Sequence, residues 1–165
     1  MKDVKLMQLA QVLGEALSLQ GWVATTAESC TGGGVSAAIT DIAGSSGWFD
    51  RAFITYSNEA KQQMLGVSAL TLEQHGAVSE EVVREMAVGA LKHSLADISV
   101  AISGIAGPGG GTEAKPVGMV CFAWADKQGW MQVETCFFDG DRNAVRQQAI
   151  EKSLSGMLQR LRQLG

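Results

Sequence analysis

Thr26-Ala27-Glu28-Ser29-Cys30-Thr31-Gly32-Gly33-Gly34 is the stretch whose reading decides the fold. An apolar run from Trp22 to Thr25 enters it as a strand, and Val35 to Ile42 leaves it as a helix. Between them lie a carboxylate, two hydroxyls after it, a thiol and three glycines. Such a strand-to-helix turn exposes side chains at the carboxyl end of a sheet, where open α/β folds bind ligands. Glycines let the backbone approach a ligand, and the N–H groups opening the next helix favour an anion or an oxyanion. The plainer reading is a glycine-rich βα turn in which Ser29 or Thr31 only caps the helix.

Outward from the turn, the chain reads as alternating helices and strands. Leu6, Leu9, Leu13 and Leu17 recur at helical spacing, with Gly21 as the stop. After the second helix, Ile42 to Gly47 reads as a loop whose Ser45 and Ser46 are either caps or site residues. Trp48 to Tyr56 contains a strand, most clearly Ala52 to Tyr56, and Ser57-Asn58 caps a short helix, Glu59 to Leu65, closed by Gly66. Lys61 falls in the first turn of that helix, where a cation is slightly unfavourable. A solvated surface lysine is the plain reading there. Leu70 to His75 forms a further helical turn, and Ser79 caps a long helix with Glu80 and Glu81 in its first turn. The nearly all-apolar Ile98 to Ile102 is a central strand covered on both faces.

A loop from Ser103 to Thr112 holds five glycines and is long for a passive connection. It matches neither the P-loop nor the dinucleotide-binding glycine pattern. Met119–Ala125 and Trp130–Phe138 form a hairpin, and a last helix starts at Arg142 with Val145, Ala149, Leu154, Leu158 and Leu161 as its apolar stripe. Arg142 is either an ion-pair partner of Asp139 or Asp141, or an anion clamp, since a guanidinium grips phosphate in a bidentate way. The whole, residues 1–165, reads as one α/β domain with a mixed sheet covered by helices.

Length and composition bound the function. The chain has 165 residues and a formal net charge of -4, which gives no general electrostatic reason to bind nucleic acid or an anionic membrane. No run of about 18 apolar residues suggests a transmembrane helix, and Met1 to Lys5 leads into an amphipathic pattern and not a signal peptide. Cys30, Cys121 and Cys136 are odd in number and lack Cys-x-x-Cys spacing, which fits a reducing cytoplasm better than a disulfide framework or a zinc site. His75 and His93 lack metal-ligand spacing, so metal catalysis and a cofactor are not expected. A Ser-His-Asp triad or a Cys30–His75 pair has weak support. Serine with lysine is the remaining nucleophile logic. It requires a neutral amine, so the lysine pKa must fall from about 10.4 toward roughly 7–8. If the strands before Ser29 and Tyr56 are neighbours, Ser29, Tyr56 and Lys61 converge at one sheet end.

These residues resemble the CinA C-terminal domain family. The resemblance rests on Thr26 to Gly33, on Thr55-Tyr56-Ser57-Asn58-x-x-Lys61, on Ser103 to Thr112 and on Lys115-Pro116-Val117-Gly118. Four long motifs in order cover most of the chain. Gly44-Ser45-Ser46-x-Trp48-Phe49, Gln74 to Ser79 and Gly140-Asp141-Arg142 are similar to free-standing amidase members of that family. The larger relatives carry an additional N-terminal domain, and this chain reads as the amidase domain without it.

The resemblance implies a three-layer α/β/α sandwich with a mixed, mostly parallel sheet. It also implies hydrolysis of nicotinamide mononucleotide to nicotinate mononucleotide and ammonia, in recycling of the pyridine nucleotide. Carried over to this chain, Ser29 is the nucleophile, Lys61 its base and Tyr56 a hydroxyl that positions or relays the proton, with Ser46 as the alternative essential serine. Thr31, Gly32, Gly33, Ser103, Gly104, Gly107 and Arg142 are the implied substrate-contacting residues, with backbone N–H groups near Gly32 and Gly33 stabilising the oxyanion. Ser103 stands where relatives have threonine or serine. Gly34 departs from the bulkier residue of many relatives, which suggests a wider pocket. The expected partner is the nucleotide alone, without nucleic acid or membrane, in a homodimer at base rate. A non-catalytic nucleotide-binding or regulatory module of the same fold is the rival reading.

Overall fold

The computed structural model describes residues 3–165; Met1 and Lys2, part of the N-terminal reading above, lie outside the described residues. The elements in order are α1 (Val4–Gln20), β1 (Ala24–Glu28), α2 (Gly34–Thr40), β2 (Phe49–Ile54), α3 (Asn58–Leu65), α4 (Ala69–His75), α5 (Glu80–Lys92), β3 (Ile98–Gly104), β4 (Met119–Asp126), β5 (Met131–Phe137) and α6 (Arg142–Leu164). A short 3-10 turn, Ser45–Gly47, precedes β2. The helix ends follow the caps expected from the sequence. Ser57, Ser79 and Asp141 accept the N–H of Ala60, Val82 and Ala144, and Gly21 and Gly66 end α1 and α3 in the left-handed region. No helix among the described residues is long and apolar enough to cross a membrane.

The sheet order is β2-β1-β3-β4-β5. β1 pairs in parallel with both β2 and β3, and β4 pairs antiparallel with β3 and β5. Among the described residues four strands therefore run one way and β4 opposes them, which is the expected mixed, mostly parallel sheet. Helices cover both faces. One face packs Ile98, Val100, Ile102, Val120, Phe122 and Trp124 under α1, α2 and α6. The other presents small residues, Ala101, Cys121, Ala123 and Ala125, to α5 and its Val83, Met86, Ala87 and Ala90. Alternation along each strand makes this division. The small face lets α5 lie close, and the Ser99 hydroxyl donates to the Ala87 carbonyl at 2.9 Å.

The sequence reading placed β1 too early. The strand runs on through Thr26, Ala27 and Glu28, because Glu28 pairs with Ile54 on one side and with Ile102 on the other. Residues 26–28 are buried strand and not turn. That extension carries Ser29 to the carboxyl end of the central strands.

Candidate active site

Ser29 stands just beyond β1, and both neighbouring strands pin it there. Its N–H donates to the Ile102 carbonyl at 3.0 Å, and the Thr55 N–H donates to the Glu28 carbonyl at 2.8 Å. The side chain points to the face covered by α3 and α5. From that side comes Lys61, in the first turn of α3, with a residue exposure of 1 %. Its Nζ lies 3.0 Å from Ser29 Oγ and 2.8 Å from the Thr55 carbonyl. The surface-lysine reading therefore fails.

Burial pushes the Lys61 amine below its ordinary value of 10.5, with only the nearby Cys30 opposing. Among the described residues no carboxylate pairs with it to restore the charge. Once Nζ is neutral, the 3.0 Å contact runs the other way, the Ser29 hydroxyl donating to the amine lone pair. A hydroxyl and a neutral amine so placed can serve as nucleophile and base.

The turn after Ser29 is organised by Glu28, a residue the sequence reading left without a role. Its side chain points to the opposite face, under α2, and is fully buried. It accepts five hydrogen bonds: from the hydroxyls of Thr26 and Thr31 at 3.1 and 2.8 Å, and from the N–H groups of Gly33, Val35 and Ser36 at 3.1, 3.0 and 2.9 Å. The anion attracted to the start of α2 is thus the protein's own carboxylate. Gly32 and Gly33 turn at φ of +57° and +100°, which only glycine adopts freely. From α6, Arg146 donates to the carbonyls of Cys30 and Thr31 at 3.1 Å each. Arg146 was also missed; its one signal was lying a helical turn after Arg142 on the same helix.

Several sequence expectations are corrected by this wiring. The Gly32 N–H donates to the Ser29 carbonyl and the Gly33 N–H to Glu28, so neither is free for an oxyanion. Thr31 is fully buried with its hydroxyl on Glu28, and it does not face the cleft. Neither Ser29 nor Thr31 caps α2, whose cap is Gly33. Ser46 is exposed in the turn before β2, at the other end of the sheet from Ser29. Gly34 borders α6: a Cβ there would stand 2.5 Å from Ile150 Cδ1, and the glycine lines a hollow between α1, α2 and α6. It does not widen the pocket beside Ser29.

That pocket is a cleft of about 310 Å³ lined by Ser29, Cys30, Tyr56, Lys61, Ser103, the 104–110 glycine loop and Arg142. Arg142 pairs with neither Asp139 nor Asp141. It donates to the Gly107 carbonyl at 2.8 Å and to the Tyr56 hydroxyl at 3.2 Å, linking the loop to the cleft rim. Tyr56 is 63 % exposed at that rim. The Lys61–Ser29 contact is direct, so no proton has to pass through Tyr56. Gly104 and Gly107 lie in the cleft wall as expected. Asn58 and the Ala77-Val78 segment complete it from α3 and the α4–α5 connection, and the sequence reading missed both as lining.

The histidine alternatives do not reach the cleft. His75 lies 3.5 Å from Glu81, and His93 meets the Gly89 carbonyl at 2.8 Å. Burial pushes the Cys30 thiol up to about 11, so it stays protonated beside Ser29. Among the described residues no cluster of three or more His, Cys, Asp or Glu side chains could hold a metal ion.

Comparison with known proteins gives the family. The family model for the CinA C-terminal domain matches residues 6–161. The chain belongs to the CinA C-terminal domain family. It is 58 % identical over 163 residues to the nicotinamide-nucleotide amidohydrolase PncC of Escherichia coli, covering 99 % of both chains. It is 51 % identical to the PncC of Pseudomonas putida, covering 92 % of this chain and 94 % of that one. Among solved structures, the competence/damage inducible protein CihA from Agrobacterium tumefaciens superposes with a TM-score of 0.94 at 41 % identity, over 98 % of each chain. The family motifs quoted from the sequence converge on one site: Ser29, Tyr56, Lys61 and the loop from Ser103 all border the cleft.

Proposed function

We propose that this chain hydrolyses the carboxamide of nicotinamide mononucleotide, giving nicotinate mononucleotide and ammonia, through an acyl-enzyme on Ser29. The single observation that carries the mechanism is the buried Lys61 amine 3.0 Å from Ser29 Oγ, unpaired with any described carboxylate. The substrate assignment is supported by the full-length similarity to the PncC amidohydrolases.

In the first step Ser29 Oγ forms a bond to the carboxamide carbon while its proton passes to Lys61 Nζ, and the carbonyl electron pair moves onto oxygen. The tetrahedral intermediate then collapses. The C–N bond breaks, Lys61 returns the proton to the departing nitrogen, and ammonia leaves. Water attacks the resulting ester with Lys61 again as base, and Ser29 regains its proton. The pyridinium charge of the substrate makes the amide more electrophilic and disfavours a second positive charge on Lys61. Arg142 engages Gly107 and Tyr56 through two of its five donor hydrogens, which leaves others for a phosphate at the cleft rim. The ribose lies along the 104–110 loop. The setting is pyridine nucleotide recycling in the cytoplasm.

The test is ammonia release from nicotinamide mononucleotide by the purified protein, with Ser29→Ala and Ser46→Ala beside it. The expected result is release by the wild type and by Ser46→Ala and none by Ser29→Ala. Loss only in Ser46→Ala would move the nucleophile. A wild type that binds the nucleotide and releases no ammonia would favour the non-catalytic module.

A further inference from the structure

A tetrahedral intermediate on Ser29 needs donors for its oxyanion, and the turn's own glycines cannot supply them. From Ser29 to Ser36 the backbone N–H groups are committed in turn to Ile102, Ser29, Glu28 and Thr31, with two exceptions, Cys30 and Thr31. Thr31 is fully buried outside the cleft. Cys30 lines the cleft, and its N–H has no hydrogen-bond acceptor among the described residues.

A second free donor sits on the neighbouring strand. β1 and β3 pair in parallel with Glu28 opposite Ile102, and one step further along that register puts Ser29 beside Ser103. Side chains at paired positions of adjacent strands share a face. Ser103 lines the cleft; as a residue it is only 1 % exposed, but its hydroxyl opens into the cleft and makes no hydrogen bond to another described residue. Its equivalent four residues earlier, Ser99, is satisfied by Ala87. A cleft-facing hydroxyl without a protein partner keeps both its donor and its acceptor capacity for a bound substrate.

The geometry of the reaction says what that partner is. Lys61 approaches Ser29 from the β2 side, through α3 and the Thr55 carbonyl. It must stay beside the departing nitrogen to return the proton. The carbonyl oxygen therefore turns the other way, toward β3. We propose that the Ser103 hydroxyl and the Cys30 N–H form the oxyanion hole, and that Ser103 is a catalytic residue as well as a lining one. This rests on the amidase reading with Ser29 as nucleophile. In the attack step Ser103 keeps its proton and donates a hydrogen bond to the oxygen that receives the carbonyl electron pair.

The experiment is steady-state kinetics of Ser103→Ala, Ser103→Thr and Ser103→Cys on nicotinamide mononucleotide. It is paired with binding of two probes: nicotinate mononucleotide, which is planar at the reacting carbon, and the 3-formylpyridine mononucleotide, whose aldehyde forms a tetrahedral adduct with Ser29. Ser103→Ala is expected to lower kcat about 10²–10³-fold, the usual effect of losing one oxyanion donor, with KM little changed. It should weaken the aldehyde by a similar factor and leave nicotinate mononucleotide binding intact. Ser103→Thr should restore most of the rate. Should Ser103→Ala fail to fold, the near-isosteric Ser103→Cys, a weaker donor, should show the same split in smaller measure. A raised KM at unchanged kcat, or equal loss of both probes, would make Ser103 a ground-state contact and overturn the assignment. Unchanged kcat in Ser103→Ala, with Ser29→Ala inactive, would overturn this assignment alone. An inactive wild type or an active Ser29→Ala would overturn the amidase reading and this assignment with it.

Discussion

Replacing Lys61 by methionine keeps most of the side chain's length and removes the amine proposed to take the Ser29 proton. The amine makes two contacts, 3.0 Å to Ser29 Oγ and 2.8 Å to the Thr55 carbonyl, and the variant loses both. Positioned general bases contribute about 10²–10⁴-fold, which at about 1.36 kcal/mol per tenfold is roughly 2.7–5.4 kcal/mol of barrier. The stability terms oppose each other. The Thr55 carbonyl loses a donor, a cost of about 1–3 kcal/mol, while an apolar side chain replaces an amine whose protonated form burial disfavours. The variant should stay folded, so a rate loss cannot be charged to unfolding. Ammonia release from nicotinamide mononucleotide, with a thermal melt of the same sample, is the assay. The expectation is a fall in kcat of at least about a hundredfold with a near-native melt. A folded Lys61→Met within a few-fold of the wild-type kcat would refute Lys61 as the base.

The remaining predictions draw on the same geometry. Because only the neutral amine accepts the proton, kcat/KM should rise with pH through a midpoint below the ordinary 10.5 of lysine, and a pH–rate profile without such a limb would contradict this. The same depression means the unfolded chain binds more protons in that window; stability to urea should therefore climb with pH between the folded and unfolded values, and Lys61→Met should flatten the climb. Arg142→Ala should raise KM for the mononucleotide by about 1.5–3 kcal/mol in binding, the range for hydrogen bonds to charged groups, and leave the dephosphorylated nucleoside almost unaffected; equal effects on both would remove the phosphate role. Gly89→Ala should disrupt the protein, since a Cβ there would stand 2.0 Å from the Leu65 carbonyl oxygen at the end of the helix that carries Lys61. A destabilisation of about 3 kcal/mol is the expectation for such overpacking, read from urea midpoints, and a wild-type midpoint would contradict it.

Much of this site was legible because its parts are local. The caps at Ser57, Ser79 and Asp141 and the stops at Gly21 and Gly66 are decided within a few residues, and they place Lys61 and Arg142 at helix starts. The burial of Lys61 was not legible. It depends on β2 lying beside β1 and on α3 folding back over their ends, which no spacing encodes. Glu28 was hidden for another reason. A carboxylate in a glycine-rich turn reads as ligand-facing, yet strand alternation sends Glu28 and Ser29 to opposite faces once β1 is extended to residue 28. The same error of strand length made Gly32 and Gly33 look available. The Ser46 alternative could not be dismissed from sequence, because a serine in a motif carries no sign of which end of the sheet it occupies.

The central claim is that Ser29 carries the acyl group, and hydroxylamine tests it most directly. During turnover of nicotinamide mononucleotide, an ester on Ser29 should partition between water and hydroxylamine. The hydroxamate of the nucleotide should accumulate in proportion to hydroxylamine with the wild type, and not at all with Ser29→Ala. Steady ammonia release with no hydroxamate at any hydroxylamine concentration, or hydroxamate formation by Ser29→Ala, would contradict the account.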